Sequence, residues 1–207
     1  MNTAYYYEFR GSDNILNRVE IQTSNNVTAK EVTGLGIPFV LEYSNAKKLE
    51  PVRGSGATIG IVSHEIFEFV SLHTDDMQGY MIRMYRDGKL YWLGWLDPEL
   101  YNERISDYPP YPVTFRAADF NVLDRLKYKD ENDSNYTDIV SMTQHLKRCF
   151  AKLGLPFERI YIGCSTTAEG ITLSDNETVF DKLYVMSANF YDEDNKPMSC
   201  REVIESI

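Results

Sequence analysis

The segment Gly79–Leu96, GYMIRMYRDGKLYWLGWL, constrains this chain most, because two strand-like runs flank the dipeptide Asp87-Gly88. Asp-Gly is the strongest short-range hairpin signal: a type I′ turn needs positive φ at both central residues, and its twist matches that of the strands it joins. Alternation puts Tyr80, Ile82 and Met84 on one face of the first strand, and Leu90, Trp92 and Leu96 on one face of the second. Met81, Tyr85, Tyr91, Leu93 and Trp95 make the opposite face apolar too. A hairpin with two apolar faces needs two covers. Either this chain packs both faces itself, or a neighbouring subunit supplies the second.

Around the hairpin the sequence reads as a succession of strands: Ala4–Arg10, Asn17–Thr23, Val27–Thr33, Phe39–Tyr43, Ala57–Ser63 and Val113–Ala117. Val19 and Ile21 alternate with Arg18, Glu20 and Gln22, and Val113, Phe115 and Ala117 with Thr114 and Arg116, the pattern of half-buried antiparallel strands. Turns fall at Gly11–Asn14, Ser24–Asn26, Gly34–Pro38 and Gly54–Gly56. Glu65–Leu72 fits either a strand or a helical turn. Asp119 is placed to cap a short helix, Asn121–Lys127, and the polar run Lys129–Asn135 reads as a linker or exposed loop. The expected class is therefore α+β, mainly β: an antiparallel β-barrel or sandwich domain over residues 1–128, then a smaller α/β segment over 129–207.

In that second segment Thr137 is expected to cap the longest helix, with Asp138 in its first turn. Ile139, Met142, Leu146, Cys149, Phe150 and Leu153 recur at helical spacing, Gln144, Lys147, Arg148 and Lys152 take the wet face, and Gly154 and Pro156 stop the helix. Arg159–Cys164 and Lys182–Phe190 read as strands and Asp192–Pro197 as a turn. Ser199 and Glu202 form a capping box ahead of Val203, Ile204 and Ile207. A helix of about two turns is marginal alone, so the natural chain is expected to continue past Ile207, with this second domain truncated.

Composition excludes several partners. The 31 acidic against 21 basic side chains leave a net charge of −10, which opposes binding to a nucleic-acid backbone or an anionic membrane surface. No apolar run approaches the ~20 residues that span a bilayer, and the N-terminal segment lacks the basic start and apolar middle of a signal peptide, so a cytoplasmic location is expected. Cys149, Cys164 and Cys200 are odd in number and widely spaced, which favours reduced thiols. Fifteen Tyr, ten Phe and two Trp suit both strands and protein contacts.

Each recognisable catalytic or metal pattern fails at a required residue. His64-Glu65 begins like the zinc motif HExxH, but Glu68 stands where the second imidazole belongs. Asp130–Asn135 begins like a calcium loop, but Asn135 replaces the Gly of the sharp turn and Ser141 the bidentate Glu. Gly54-Ser55-Gly56 precedes a strand rather than the helix a phosphate cradle needs. The histidines His64, His73 and His145 are scattered and expected at the surface. No catalytic residue, metal or cofactor is expected.

Read in order, the blocks Gly34–Phe39, Val52-Arg53-Gly54-Ser55-Gly56-Ala57, Leu72–Asp76, YRDGKLYWLGWLDPELY and PPYPVTFRAADFNVLDRLKY resemble the start of structural tail proteins encoded by phages and prophages of gut bacteria. The Arg53-Gly54-Ser55 strand start, the Leu90–Leu96 strand and the Ala117-Ala118-Asp119 corner carry the likeness, with Phe120 where a Gly is usual. The helix after Thr137 and the ending FYDEDNKPMSCREVIESI are similar to the same proteins, which run on beyond this motif. The resemblance implies a non-catalytic baseplate or tail-hub component of the virion tail, assembled in the bacterial host cytoplasm. It also implies a ring-like homo-oligomer that contacts other tail proteins and takes no specific nucleic acid, membrane or cofactor. The two-faced hairpin then makes Tyr85, Tyr91, Leu93, Trp95 and Tyr101 the candidate assembly interface. The rival reading is a β-sandwich ligand- or carbohydrate-binding module, in which Tyr91, Trp92, Trp95 and Tyr101 would line a groove.

Overall fold

The computed structural model describes residues 1–43, 52–97, 108–156, 160–163, 170 and 172–207. The described residues fall into two compact units, one drawn from Met1–Lys48 and Arg53–Asn121, the other from Leu49–Val52 and Val122–Ile207. This division lies at Asn121–Val122, ahead of the polar run at Lys129 where the sequence marks a boundary.

The first unit is one sheet of eight strands, β1 (Asn2–Arg10), β2 (Leu16–Thr23), β3 (Lys30–Glu31), β4 (Thr33–Tyr43), β5 (Ser55–Ser63), β6 (Tyr80–Arg86), β7 (Lys89–Leu96) and β8 (Tyr111–Ala118), in the order β3-β1-β2-β6-β7-β8-β5-β4. Only the short β1–β3 pairing is parallel. The ladder does not close into a barrel. Its curl is sandwich-like, and the Tyr7 hydroxyl on β1 donates to the Pro38 carbonyl on the far edge strand β4 at 2.6 Å. Between the curled layers lie Tyr7, Val19, Ile21, Ile59, Ile61, Ile82, Met84, Trp92, Val113 and Phe115, the inward members of their strands. Along β8 burial alternates residue by residue, as the sequence pattern demands.

Two strands differ from expectation. Of Val27–Thr33 only Lys30–Glu31, both exposed, pairs as a separate strand, while Val32 packs against the core and Thr33 opens β4. Conversely β4 starts at Thr33, ahead of the expected Phe39, and absorbs Leu35–Pro38 as a register shift opposite Gly60. A Cβ on Gly60 would come 2.8 Å from the Leu35 side chain and 3.1 Å from the Ile37 carbonyl, so the irregularity favours glycine there.

The hairpin forms as the sequence requires, with φ of +49° at Asp87 and +73° at Gly88. Its register slips between Met84 and Tyr85, so that Tyr85 faces Leu90 while Met84 faces Trp92. Tyr91 is the extra residue of this bulge. Leu90 consequently leaves the face of Trp92 and Leu96 and shares the face of Tyr85, a departure from strict alternation.

The second unit holds the strand pair β9 (Ile139–Ser141) and β10 (Tyr184–Met186), with helices α1 (Met142–Leu153), α2 (Val179–Lys182) and α3 (Cys200–Ser206). The α1 cap is Ser141, whose hydroxyl accepts from the Gln144 amide, not Thr137. Asp138 is taken by Arg148 and Ser187, and Ile139 enters β9, so the helix starts late. Gly154 ends it at φ +69°, and the Ser199/Glu202 capping box of α3 is present as read. Asn121–Asp124 forms a single 3₁₀ turn in place of the helix expected to Lys127. Of the strand expected over Lys182–Phe190 only Tyr184–Met186 forms, followed by a 3₁₀ turn at Ser187–Phe190. Asp192–Pro197 is the expected turn, closed around the Asp192 carboxylate. Of the expected strand Arg159–Cys164, residues 160–163 are irregular and both ends lie outside the described residues.

Candidate functional site

The outward face of the sheet is laid out in cross-strand rows fixed by register. One row is Glu8, Arg18, Tyr85 and Leu90; the next is Tyr6, Glu20, Arg83 and Leu93; the third is Gln22, Met81 and Trp95. The Arg18 guanidinium sits 4.3 Å from the Tyr6 ring centre and pairs with Glu20 at 2.7 Å and Glu8 at 3.1 Å. A shallow hollow of about 270 Å³ opens beside it, between Leu16, Tyr85 and Gly88. Tyr91, thrown out by the bulge, is 54% exposed and lies 5.9 Å from the Arg86 guanidinium.

These rows sort the residues singled out in the sequence. Tyr91 is exposed, Tyr85 and Leu93 are half-buried, and Tyr101 lies outside the described residues. Trp95 is only 3% exposed and Met81 likewise, so this chain itself covers that end of the face and Trp95 is closed to a neighbour. Leu90, at 45% exposure, joins the open end because of the bulge, which no sequence signal announced. Trp92 is buried on the inward face and Trp95 on the outward one, so the two cannot line one groove.

The blocks that carry the family resemblance converge in space. Asp119 accepts from the Ser55 amide at 2.8 Å and from the Ser55 hydroxyl at 2.7 Å, and its own amide donates to the Ser55 carbonyl at 3.1 Å. The buried Trp92 indole donates to the Ser55 hydroxyl at 2.8 Å. Gly54 is required because a Cβ there would come 2.8 Å from the Asp119 carboxylate. Asp119 therefore locks β8 onto the start of β5 instead of capping a helix. Its carboxylate meets two donors of one residue, a better match than the amides of a single turn.

The second unit holds a polar knot. Tyr128 lies hydroxyl-to-ring against His145 Nδ1, accepts from Arg148 at 3.2 Å, and is itself fully buried. His145 Nε2 donates to the Val185 carbonyl at 3.2 Å, and in the neutral imidazole that leaves Nδ1 to accept from the Tyr128 hydroxyl. His145 is thus fully buried, against the surface position expected for it, while His64 and His73 are exposed. Burial lowers the His145 pKa from its ordinary value and pushes the Tyr128 hydroxyl up to about 12. Arg148 forks onto Asp138, stacks 3.9 Å over Tyr136, and holds the Asp138 carboxyl well below the usual carboxylate range. These contacts tie α1 to β10 and to the turn that follows it.

Cys149 and Cys200 are free, buried thiols on α1 and α3; Cys164 lies outside the described residues. The adjacent Cys200 thiol, together with burial, pushes the Cys149 thiol up. Among the described residues no group of three or more His, Cys, Asp or Glu side chains could hold a metal ion.

Fold and surface together define a mainly β chain whose accessible chemistry is an apolar and ion-paired sheet face. No family model and no curated protein matches the chain. Among solved structures, the crystal structure of a prophage MuSo2 43 kDa tail protein from Shewanella oneidensis is similar over 70% of this chain at 11% identity and a TM-score of 0.32. The chain spans 44% of that protein's length. At that TM-score the likeness carries no argument, and function is argued from the chain's own residues.

Proposed function

We propose that the chain is a structural component of a phage or prophage tail, baseplate- or hub-like, which acts by assembling with copies of itself and with other tail proteins. The observation that carries this reading is the open end of the outward sheet face, where Tyr85, Leu90, Tyr91 and Leu93 flank the ion-paired Arg18. Aromatic and apolar groups around a satisfied arginine are the composition of a protein contact. The ordered blocks that resemble phage tail proteins support the same reading, as does an acidic net charge, under which DNA can pass without sticking.

A ligand- or carbohydrate-binding module is less favoured, because its proposed groove needs Trp92 and Trp95 on one surface. The deciding experiment deletes the gene from its resident prophage and examines induced lysates. We expect purified tails to contain the chain, deletion to remove intact tails from electron micrographs, and Tyr91→Arg with Leu93→Asp to fail to restore them. Purified tails without the chain, or normal tails after deletion, would overturn the proposal.

A further inference from the structure

The second unit brings two thiols into contact from separate helices. Cys149 lies on the buried stripe of α1 with Leu146 and Leu153, and Cys200 opens α3 ahead of the buried Val203. The two helices pack on one another, both thiols are free and fully buried, and the Cys149 and Cys200 sulfurs are hydrogen-bonded. Each thiol is held in place by its own surroundings. At the start of α3 the Ser199 amide and hydroxyl donate to Glu202 at 2.6 and 2.9 Å, and the Cys200 amide donates to the Leu126 carbonyl at 2.7 Å. On α1, Arg148 donates to Asp138 at 3.0 Å and His145 to the Val185 carbonyl at 3.2 Å, one turn and less from Cys149. Among the described residues no third His, Cys, Asp or Glu joins the pair to form a metal site.

We propose that this pair is a modification site: oxidation by a low-molecular-weight disulfide links Cys149 to Cys200 and staples α3 to α1. One cysteine thiolate attacks the S–S bond of the oxidant, releases one small thiolate and leaves a mixed disulfide. The other cysteine thiolate then attacks the protein sulfur of that mixed disulfide, expels the second small thiolate and closes the link. The pair gives up two protons and two electrons, and the oxidant leaves as two thiols. Because both sulfurs are buried in the folded unit, exchange runs while the unit is open, and folding then shields the product. The link closes a loop of about 50 residues, so it restricts the unfolded chain far more than the folded one. By reciprocity the fold favours the link as much as the link favours the fold. In a reducing compartment the pair stays as two thiols; in an oxidising one it becomes a staple. The proposal goes beyond the assembly reading above and does not depend on it.

The test refolds the reduced 207-residue chain in a mixture of reduced glutathione and glutathione disulfide, keeps a parallel sample in denaturant, and alkylates the remaining thiols before peptide mapping. After refolding, the joined Cys149 and Cys200 peptides are expected as the dominant link. The ratio of linked to reduced pair should stand roughly 100-fold above that in denaturant, the loop-closure advantage returned by the fold. Linked protein should keep the circular dichroism of the reduced form and melt at a higher temperature. Cys164→Ser should leave these results unchanged, whereas Cys149→Ala and Cys200→Ala should each abolish the rise in melting temperature. If an alanine variant does not fold, the wild-type map and the melting of linked wild type decide the matter. A map dominated by links to Cys164, a ratio no higher than in denaturant, or linked protein that melts no higher or loses helical signal would each overturn the proposal.

Discussion

Ser55 is a buried serine that escapes the usual cost of an isolated hydroxyl because Asp119 and Trp92 complete its bonds. Asp119→Ala removes the acceptor of both the Ser55 amide and hydroxyl, so a loss of about 1–3 kcal/mol is expected, read as a lower urea midpoint. An unchanged midpoint would show that the lock does not hold the β5–β8 corner. The contrast between Trp95 and Tyr91 belongs to the same scale. Trp95→Glu buries an unpaired charge and should cost more than about 3 kcal/mol, whereas Tyr91→Glu, on an exposed bulge, should leave the melting curve within about 0.5 kcal/mol of wild type. Equal effects of the two would contradict the assignment of Trp95 to the chain's own interior.

At the scale of elements, α1 is tied to its unit by the polar knot, and this gives a pH dependence of definite sign. The folded His145 has a pKa below its ordinary 6.5, so as pH falls the unfolded chain takes up the proton first. Stability of the second unit should therefore fall as pH drops through about 6.5. Asp138, whose folded value is depressed by Arg148, adds a further loss only below its ordinary 3.8. Chemical denaturation between about pH 7.5 and pH 5.5 should show the first loss, and His145→Gln, which does not titrate, should flatten it. A slope that survives the substitution would place the titrating group elsewhere. The α1–α3 contact is testable in parallel: Cys149 and Cys200 should resist a thiol reagent in the native protein and react only in denaturant. Labelling of either in the folded chain, located by peptide mapping, would contradict their burial.

At the scale of the molecule, the polar run Lys129–Asn135 is a hydrogen-bonded loop inside the second unit: Asp130 accepts from the Asn132 and Ser134 amides. Just before it Tyr128 is anchored, its amide donating to Met198 at 2.9 Å and its carbonyl accepting from the Tyr191 hydroxyl at 3.0 Å. We propose that limited proteolysis nicks this exposed loop first and that the two pieces co-elute on gel filtration until denatured. Pieces that separate at once would mean that Tyr128 belongs with the first unit, as the boundary read from sequence had it.

The sequence by itself determined the mainly β class, the antiparallel strands, the Asp87-Gly88 turn and the α3 capping box, because each follows from local periodicity or from the backbone needs of a single turn. It also marked the Ser55, Trp92 and Asp119 blocks, though not their meeting. Only the tertiary structure decided that Asp119 bonds Ser55, since the donors that win it lie on a strand distant in sequence. The same holds for Asp138, drawn from its expected place in the first turn of α1 to Arg148, and for His145, buried by the partners that Tyr128 and Val185 supply. The bulge at Tyr91 is the sharpest case. One extra residue, invisible in the alternating pattern, carries Leu90 to the other face of the sheet, because side chains in a strand change sides at every step.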